Sequence, residues 1–250
     1  MLAIAKGKYR VRQAETPADL RLALQLRSKA FYPNANLTDG DDSDRFDPVC
    51  RHILIEDQGT GRLVSCYRMM HLLNGADIEQ SYSAQFYDLS ALKSHPAPML
   101  EIGRFCVDPE VTDPDVLRLA WGVLANFVDE LGVELLFGCS SFDGLDAAPY
   151  RNVFSQLRDC YLAPKRWAPG IKATNVVRFT EDLGGIPEAE VVRNQMPPLL
   201  KTYLLMGGWV SDHAVIDPHM NTLHVFTGVE TKAIPESRKR LLRAVTAGAA

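Results

Sequence analysis

The sequence predicts an α/β fold: a mixed, twisted sheet with helices on both faces, carrying a C-terminal elaboration of one helix and a hairpin. Apolar strands alternate with capped helices in the order β-α-β-β-α-β-α-β, the pattern of a layered α/β domain. Met99 to Val107 reads as a buried strand, apolar except for two charges. The chain has 250 residues and is 46% hydrophobic, enough for one large core. Residues 1–195 are expected to form that core. Residues 196–250 are expected as an extension packed on it, with a basic tail from about residue 232.

Tyr9 to Ala14 alternates as a short strand, and Thr16-Pro17-Ala18-Asp19 supplies an N-cap, a proline at N1 and an acidic N3. The helix that follows, to about Ala30, places Leu20, Leu24, Arg27 and Phe31 on one stripe, so a guanidinium sits in an apolar face. Asn34 to Pro48 holds Asp39, Asp41, Asp42, Asp44 and Asp47 without periodicity and reads as an acidic loop. His52–Asp57 and Leu63–Met70 flank Gln58-Gly59-Thr60-Gly61, a hairpin turn. A short helix is expected over Ser83–Lys93. Asp113-Pro114 opens the strongest helix, through Trp121, Leu124, Phe127 and Leu131 to Gly132. Further on come a strand over Leu135–Ser140, a helix over Pro149–Tyr161, a strand over Asn175–Phe179, a helix over Pro197–Leu205, and a hairpin of Trp209–Ile216 with Thr222–Val229.

Several functions are excluded at this level. A net charge of −4 argues against nucleic acid, whose phosphates demand a dominant cationic surface. No apolar run reaches the roughly 18–20 residues of a membrane-spanning helix, and MLAIAKGKYRVRQ is too short and polar for a signal peptide, so a cytoplasmic protein is expected. Cys50, Cys66, Cys106, Cys139 and Cys160 are odd in number and scattered, as reduced core thiols are. His213, His219 and His224 lie close together without metal spacing, and no metal site is expected. Cys139 and Ser140 are not set in a G-x-S-x-G elbow, which leaves no legible nucleophile.

Charge set in apolar elements marks the candidate site. Arg27 with Phe31, Asp44 with Asp47, Arg68 on the face of Val64, Cys66 and Met70, and Glu101 with Arg104 are the four clusters. Strict alternation sends Glu101 and Arg104 to opposite faces, and a bulge at Gly103 would bring both to one side. Each cluster also has a purely structural account. Arg27 could pair with the acidic loop, Asp44 and Asp47 could be solvated, Arg68 could be a satisfied core arginine, and Glu101 and Arg104 could form one buried salt bridge.

LRSKAF (Leu26 to Phe31), DSDRFD (Asp42 to Asp47) with Cys50 and His52 after it, GRLVSCYR (Gly61 to Arg68), YSAQFYDL (Tyr82 to Leu89), EIGRFCV (Glu101 to Val107) and LFGCSSFDG (Leu136 to Gly144) occur in this order. With MPPLLKTYLLMGGWV (Met196 to Val210), they resemble the ornithine-lipid acyltransferases, L-ornithine N(alpha)-acyltransferases and their glutamine-lipid relatives, in the autoinducer-synthase-like branch of the GNAT superfamily. The resemblance implies a GNAT-like fold. It also implies transfer of a 3-hydroxy fatty acyl group from an acyl carrier protein thioester to the α-amine of ornithine, or of glutamine, giving a lyso-aminolipid. By the same resemblance Glu101 and Arg104 are catalytic, while Arg27, Phe31, Asp44, Asp47 and Arg68 bind substrate. The donor is phosphopantetheine-linked, and no tightly bound cofactor is implied.

Three departures stand against the resemblance: a shorter chain between the second and third strands, His224 where an acidic residue is expected, and VDPEVTDPDVLRLAWG where acetyl-CoA users carry RxxGxG/A. Without that glycine-rich nest, carrier protein is favoured over coenzyme A. Glu101 is the candidate base for the α-ammonium, and strand amides near Arg104 or a guanidinium would steady the oxyanion. From Arg151 to Thr180 six basic residues (Arg151, Arg158, Lys165, Arg166, Lys172, Arg178) face one acidic residue, Asp159. Lys165, Arg166 and Lys172 are the expected docking residues for carrier protein, and the segment could also touch an anionic membrane at its inner face. The alternatives are an acyl-homoserine-lactone synthase using S-adenosylmethionine and a non-catalytic, haemolysin-like acyl-binding protein.

Overall fold

The computed structural model describes residues 3–32, 42–179 and 188–247. Residues 34–41 of the acidic loop, with Asp39 and Asp41, lie outside the described residues, as does Thr180. Strands β1 (Ala3–Lys6) and β2 (Tyr9–Gln13) form a hairpin that leads into α1 (Pro17–Phe31). Then come β3 (Arg51–Asp57), β4 (Leu63–Leu72), β5 (Tyr87–Asp88), β6 (Met99–Val107) and α2 (Pro114–Leu131). Next are β7 (Leu135–Asp143), α3 (Arg151–Cys160), β8 (Gly170–Ile171), β9 (Val176–Arg178), α4 (Ala189–Gln195) and α5 (Pro198–Leu205). The chain continues through β10 (Trp209–Val210), β11 (His213–Asp217), β12 (Thr222–Glu230) and α6 (Glu236–Thr246).

Compactness divides the chain into two units, Met1–His71 with Ile102–Val133 and Glu236–Ala250, and Leu72–Glu101 with Glu134–Pro235. This division differs from the boundary drawn at 195/196. In the first unit the strand order is β1-β2-β3-β4-β6. Thr16 and Asp19 complete the expected capping box of α1, which packs Ala23 and Leu26 on Leu54, Cys66 and Cys106. Asp113 caps α2 as expected, and Gly132 ends it in the left-handed region. α6 lies on α2 at Gly122, where an added Cβ would stand 2.9 Å from the Val245 side chain. The residue type is therefore fixed by helix proximity, and Arg243 clasps Asp129 at 2.8 and 2.9 Å beside it.

In the second unit β6 pairs parallel with β7 from Met99↔Leu135 to Glu101↔Phe137, β7 pairs antiparallel with β12 along its whole length, and β11 and β9 follow. Alternation assigns the faces. Phe142, Leu223, Val225 and Ala214 point to one side, into an apolar cluster with Val153, Phe154 and Leu157 of α3 and Leu200 of α5. Each buried valine, leucine or phenylalanine of this cluster contributes roughly 1.5–3 kcal/mol. Glu101, Cys139, Ser141, His224 and His213 therefore point to the other side, a polar row on an otherwise apolar sheet.

The fold is the expected mixed sheet, and two local readings need correction. Ser83–Lys93 is not a helix: Ser83–Gln85 and Ser90–Ser94 are 3-10 turns around β5, which pairs with β8 at Tyr87↔Ile171. Long-range pairing and burial of Tyr87 outweigh local helix propensity. The strand expected over Trp209–Ile216 is broken at Ser211, whose hydroxyl donates to the His213 carbonyl and accepts from Phe226 N–H, shifting the register on β12. The basic tail contains a helix, α6. Cys66 and Cys106 are buried thiols, whereas Cys160 is exposed. No described helix is long and apolar enough to cross a membrane.

Candidate active site

Two polar clusters, one in each unit, hold the charged residues singled out above. In the first unit, Arg27 on α1 sends Nε to Asp42 Oδ2, Nη1 to Asp47 Oδ1 at 2.7 Å and Nη2 to the Asp42 carbonyl at 2.7 Å. Arg68 on β4 grips Asp44 through both Nη atoms, at 2.6 and 2.7 Å, and reaches Asp47 Oδ1 at 2.7 Å. Arg104 on β6 donates to Asp42 at 3.2 Å and to Asp44 at 3.4 Å. Three guanidiniums thus face three carboxylates, with Arg27, Arg68, Asp42 and Asp47 buried, an arrangement that holds only when every buried charge has partners.

The loop is shaped by the same residues. Asp47 accepts from Asp44 N–H, Asp44 from Phe46 N–H, and His52 Nε2 bonds the Asp47 carbonyl. Burial pushes the Asp47 carboxyl up, but hydrogen bonds and charge from Arg27, Asp44 N–H and Arg68 outweigh it and bring it to about 2. Asp44 is held low by Arg68 against the same opposing burial. Burial pushes the His52 imidazolium toward its neutral form.

Arg104 differs from its neighbours in two respects. Its backbone has φ 52°, left-handed and strained for an arginine, whereas the bulge had been expected at Gly103. Its contacts to Asp42 and Asp44, at 3.2 and 3.4 Å, are matched in length only by that of Arg27 Nη2 to Asp47 Oδ2 at 3.4 Å among the bonds given, and its side chain keeps 10% of its exposure against 1% for Arg27 and 3% for Arg68. Solvent therefore reaches the network at Arg104 and at Asp44. Phe31 does not join it through the contacts described; it packs, partly buried, on the Ala23, Leu26 and Leu54 cluster.

In the second unit Glu101 accepts three hydrogen bonds: from Tyr82 N–H at 2.8 Å, Ser83 N–H at 2.7 Å and the Ser83 hydroxyl at 2.6 Å. Acceptance on both oxygens is the behaviour of an ionised carboxylate. Ser83 Oγ also lies 3.5 Å from Cys139 Sγ. Farther along the same face, the Tyr87 hydroxyl donates to the His224 carbonyl at 2.8 Å and lies 3.0 Å from His224 Nδ1. The phenol has one hydrogen, so Nδ1–H must donate to it, and Nε2 is left as a lone pair with no partner among the described residues. Burial pushes His224 down to about 4, with Asp217 opposing, so the ring is neutral at pH 7.

The basic segment is partly engaged. Arg166 clasps Glu230 at 2.9 and 3.0 Å, and Lys172 donates to the Ala84 carbonyl at 2.6 Å, while Lys165 is exposed. Sequence reasoning named Arg27, Asp44, Asp47, Arg68, Glu101 and Arg104 and missed Asp42, Tyr82, Ser83, Tyr87 and the role of His224. Asp42 carried a signal, since it opens DSDRFD at a spacing of two and five from Asp44 and Asp47. Ser83 carried none apart from its motif.

Residues 26–122 match the acetyltransferase (GNAT) domain family. Over 250 aligned residues, covering 95% of this chain and 96% of the relative, the chain is 29% identical to the L-ornithine N(alpha)-acyltransferase of Rhodobacter capsulatus. It is 31% identical over 239 residues to that of Brucella abortus, covering 88% of this chain and 83% of the relative. The solved structure of FeeM, an N-acyl amino acid synthase from uncultured soil microbes, has a TM-score of 0.52 at 9% identity, covering 91% of this chain and 94% of that one, and shares its fold.

Proposed function

The chain belongs to the L-ornithine N(alpha)-acyltransferase family, and from that premise we propose that it moves a 3-hydroxy fatty acyl group from acyl carrier protein to the α-amine of ornithine. It is an N-acyltransferase acting on an amino acid. Glutamine is the second acceptor in this reading, because His224 offers a neutral acceptor where an acidic residue had been expected. The acceptor's α-ammonium loses a proton and its nitrogen attacks the thioester carbonyl. The tetrahedral adduct collapses, the C–S bond breaks, and the second proton lost by the attacking nitrogen passes to the leaving thiolate, giving an amide and a free pantetheine thiol.

The observation that carries the mechanism is the fixed carboxylate of Glu101. Its three short donors hold it as an anion, suited to bind the α-ammonium and to receive its proton directly or through water. Arg104, the most exposed guanidinium of the three, is assigned to steady negative charge, and Arg27, Arg68, Asp42, Asp44 and Asp47 form the frame that holds it. In this reading Arg27, Arg68, Asp44 and Asp47 act on the substrate through Arg104, and Phe31 supplies an apolar wall. Carrier protein is preferred over coenzyme A because Asp113 already caps the N-terminus of α2 and Asp115 follows it, leaving a poor site for a pyrophosphate. Lys165 and Arg166 are the docking cations, since an exposed pair such as Arg166–Glu230 is worth about 0–1 kcal/mol and exchanges readily. Contact of the same segment with an anionic membrane belongs to this proposal as well.

The test is to incubate the protein with 3-hydroxyacyl carrier protein, or the matching acyl-coenzyme A, and each amino acid, and to identify products by mass. Ornithine amide formed from the carrier thioester is expected. Release of free fatty acid with no amide from any amine would sink the reading.

A further inference from the structure

Glu101 does not reach its position unaided. On the polar face of the second unit its partners come from the segment that runs over the sheet, and that segment is itself pinned. Lys172 donates to Ala84 O at 2.6 Å, Ala173 N–H to Phe86 O at 2.9 Å, and β5 pairs with β8. Ser83 is the contact point: its backbone N–H and its hydroxyl both donate to Glu101 Oε1, and the residue is fully buried.

A serine hydroxyl has one hydrogen. Glu101 Oε1 takes it at 2.6 Å, so the Ser83 oxygen meets Cys139 Sγ as an acceptor and the thiol hydrogen points inward. The sequence of donors is Cys139 S–H to Ser83 O–H to Glu101. We infer that Ser83 is the positioning residue of the amine-binding carboxylate and that Cys139 orients the Ser83 hydroxyl. Cys139 is not a nucleophile in this arrangement: a nearby carboxylate disfavours the thiolate that attack would require. Each step stays on one face, because Glu101 is registered with Phe137 and Cys139 lies two residues on.

This inference rests on Glu101 as the group that receives the α-ammonium. If it holds, Ser83→Ala lowers kcat/KM for the amino acid about tenfold to a hundredfold, the loss of one charge-assisted donor, while KM for the acyl donor stays within about twofold. Cys139→Ala lowers the same quantity about two- to fivefold, and Cys139→Ser, which keeps a donor, restores most of it. In the Ser83→Ala background Cys139→Ala has no further effect, because the hydroxyl it orients is gone. A purely structural role would instead lower the active fraction, which reduces kcat for both substrates alike and leaves the amino acid's KM unchanged, whereas loss of positioning raises that KM. The reading of Glu101 is checked separately by Glu101→Gln. Glu101→Gln inactive with Ser83→Ala within twofold of wild type overturns only this inference, whereas full activity in Glu101→Gln overturns both. Should Ser83→Ala fail to fold, equal activity of wild type, Cys139→Ala and Cys139→Ser overturns it.

Discussion

In the first unit three guanidiniums meet three carboxylates at distances up to 3.4 Å, whereas the second unit buries one carboxylate against backbone N–H groups and a serine hydroxyl and, farther along the same face, pairs a neutral phenol with a neutral imidazole. Full charges need opposite charges, and removing one strands another. Neutral donors and acceptors need only correct hydrogen counts, so they fail more gently. The two regions should therefore respond differently to deletion and to acid.

Deletion gives the largest contrast. Arg27→Ala leaves Asp42 and Asp47 short of a buried partner and should cost on the order of 3–5 kcal/mol in urea unfolding. Trimming the neutral Tyr87–His224 pair by Tyr87→Phe, which removes one hydroxyl, should cost only about 1–3 kcal/mol. Equal losses would erase the distinction.

Acid separates the regions by window. His224 is about 4 in the fold against its ordinary 6.5, a lowered value, so its contribution is complete above 6.5 and disappears as pH falls through 4. That amounts to on the order of 3 kcal/mol. Calorimetric Tm measured against pH should show this limb shrinking in His224→Gln. His52 and His71 are lowered too, so part of it persists. An unchanged limb in His224→Gln would show that the buried imidazole is not what titrates.

Asp47 acts lower down. Its value of about 2 against an ordinary 3.8 gives stability present above 3.8 and lost as pH falls through 2, on the order of 2 kcal/mol. Asp47→Asn should shrink that limb while lowering stability at neutral pH, and part of it persists because Asp19, Asp44 and Asp113 are held low too. An undiminished limb would move the titration to those other carboxylates.

The smallest effect on stability comes from Arg104→Lys. It keeps the charge but loses the guanidinium fork, and should change unfolding by about 1 kcal/mol or less because the contacts are long. Activity should fall about tenfold if the fork faces the reacting oxyanion. Unaltered kcat would return Arg104 to the frame.

How much of this was legible before the fold was known follows from the kind of interaction. A guanidinium in an apolar stripe is visible in sequence, and Arg27, Arg68 and Arg104 were found that way. So were the caps at Thr16 and Asp113, which depend only on neighbours. Ser83, Tyr87 and His224 were not, because their roles arise from pairing between segments far apart: Tyr87 meets His224 across 137 residues. The Ser83–Lys93 stretch went wrong for the same reason, since its partner β8 lies about eighty residues on and local propensity carries no record of it.

Arg104 also bears on engineering. A left-handed φ of 52° is comfortable for glycine or asparagine, and an arginine there costs about 1 kcal/mol or more. A stabilisation campaign scored on melting temperature alone would be drawn to replace it. The position is better frozen at the start of any such library, with diversity spent on exposed residues such as Leu73 and Leu241.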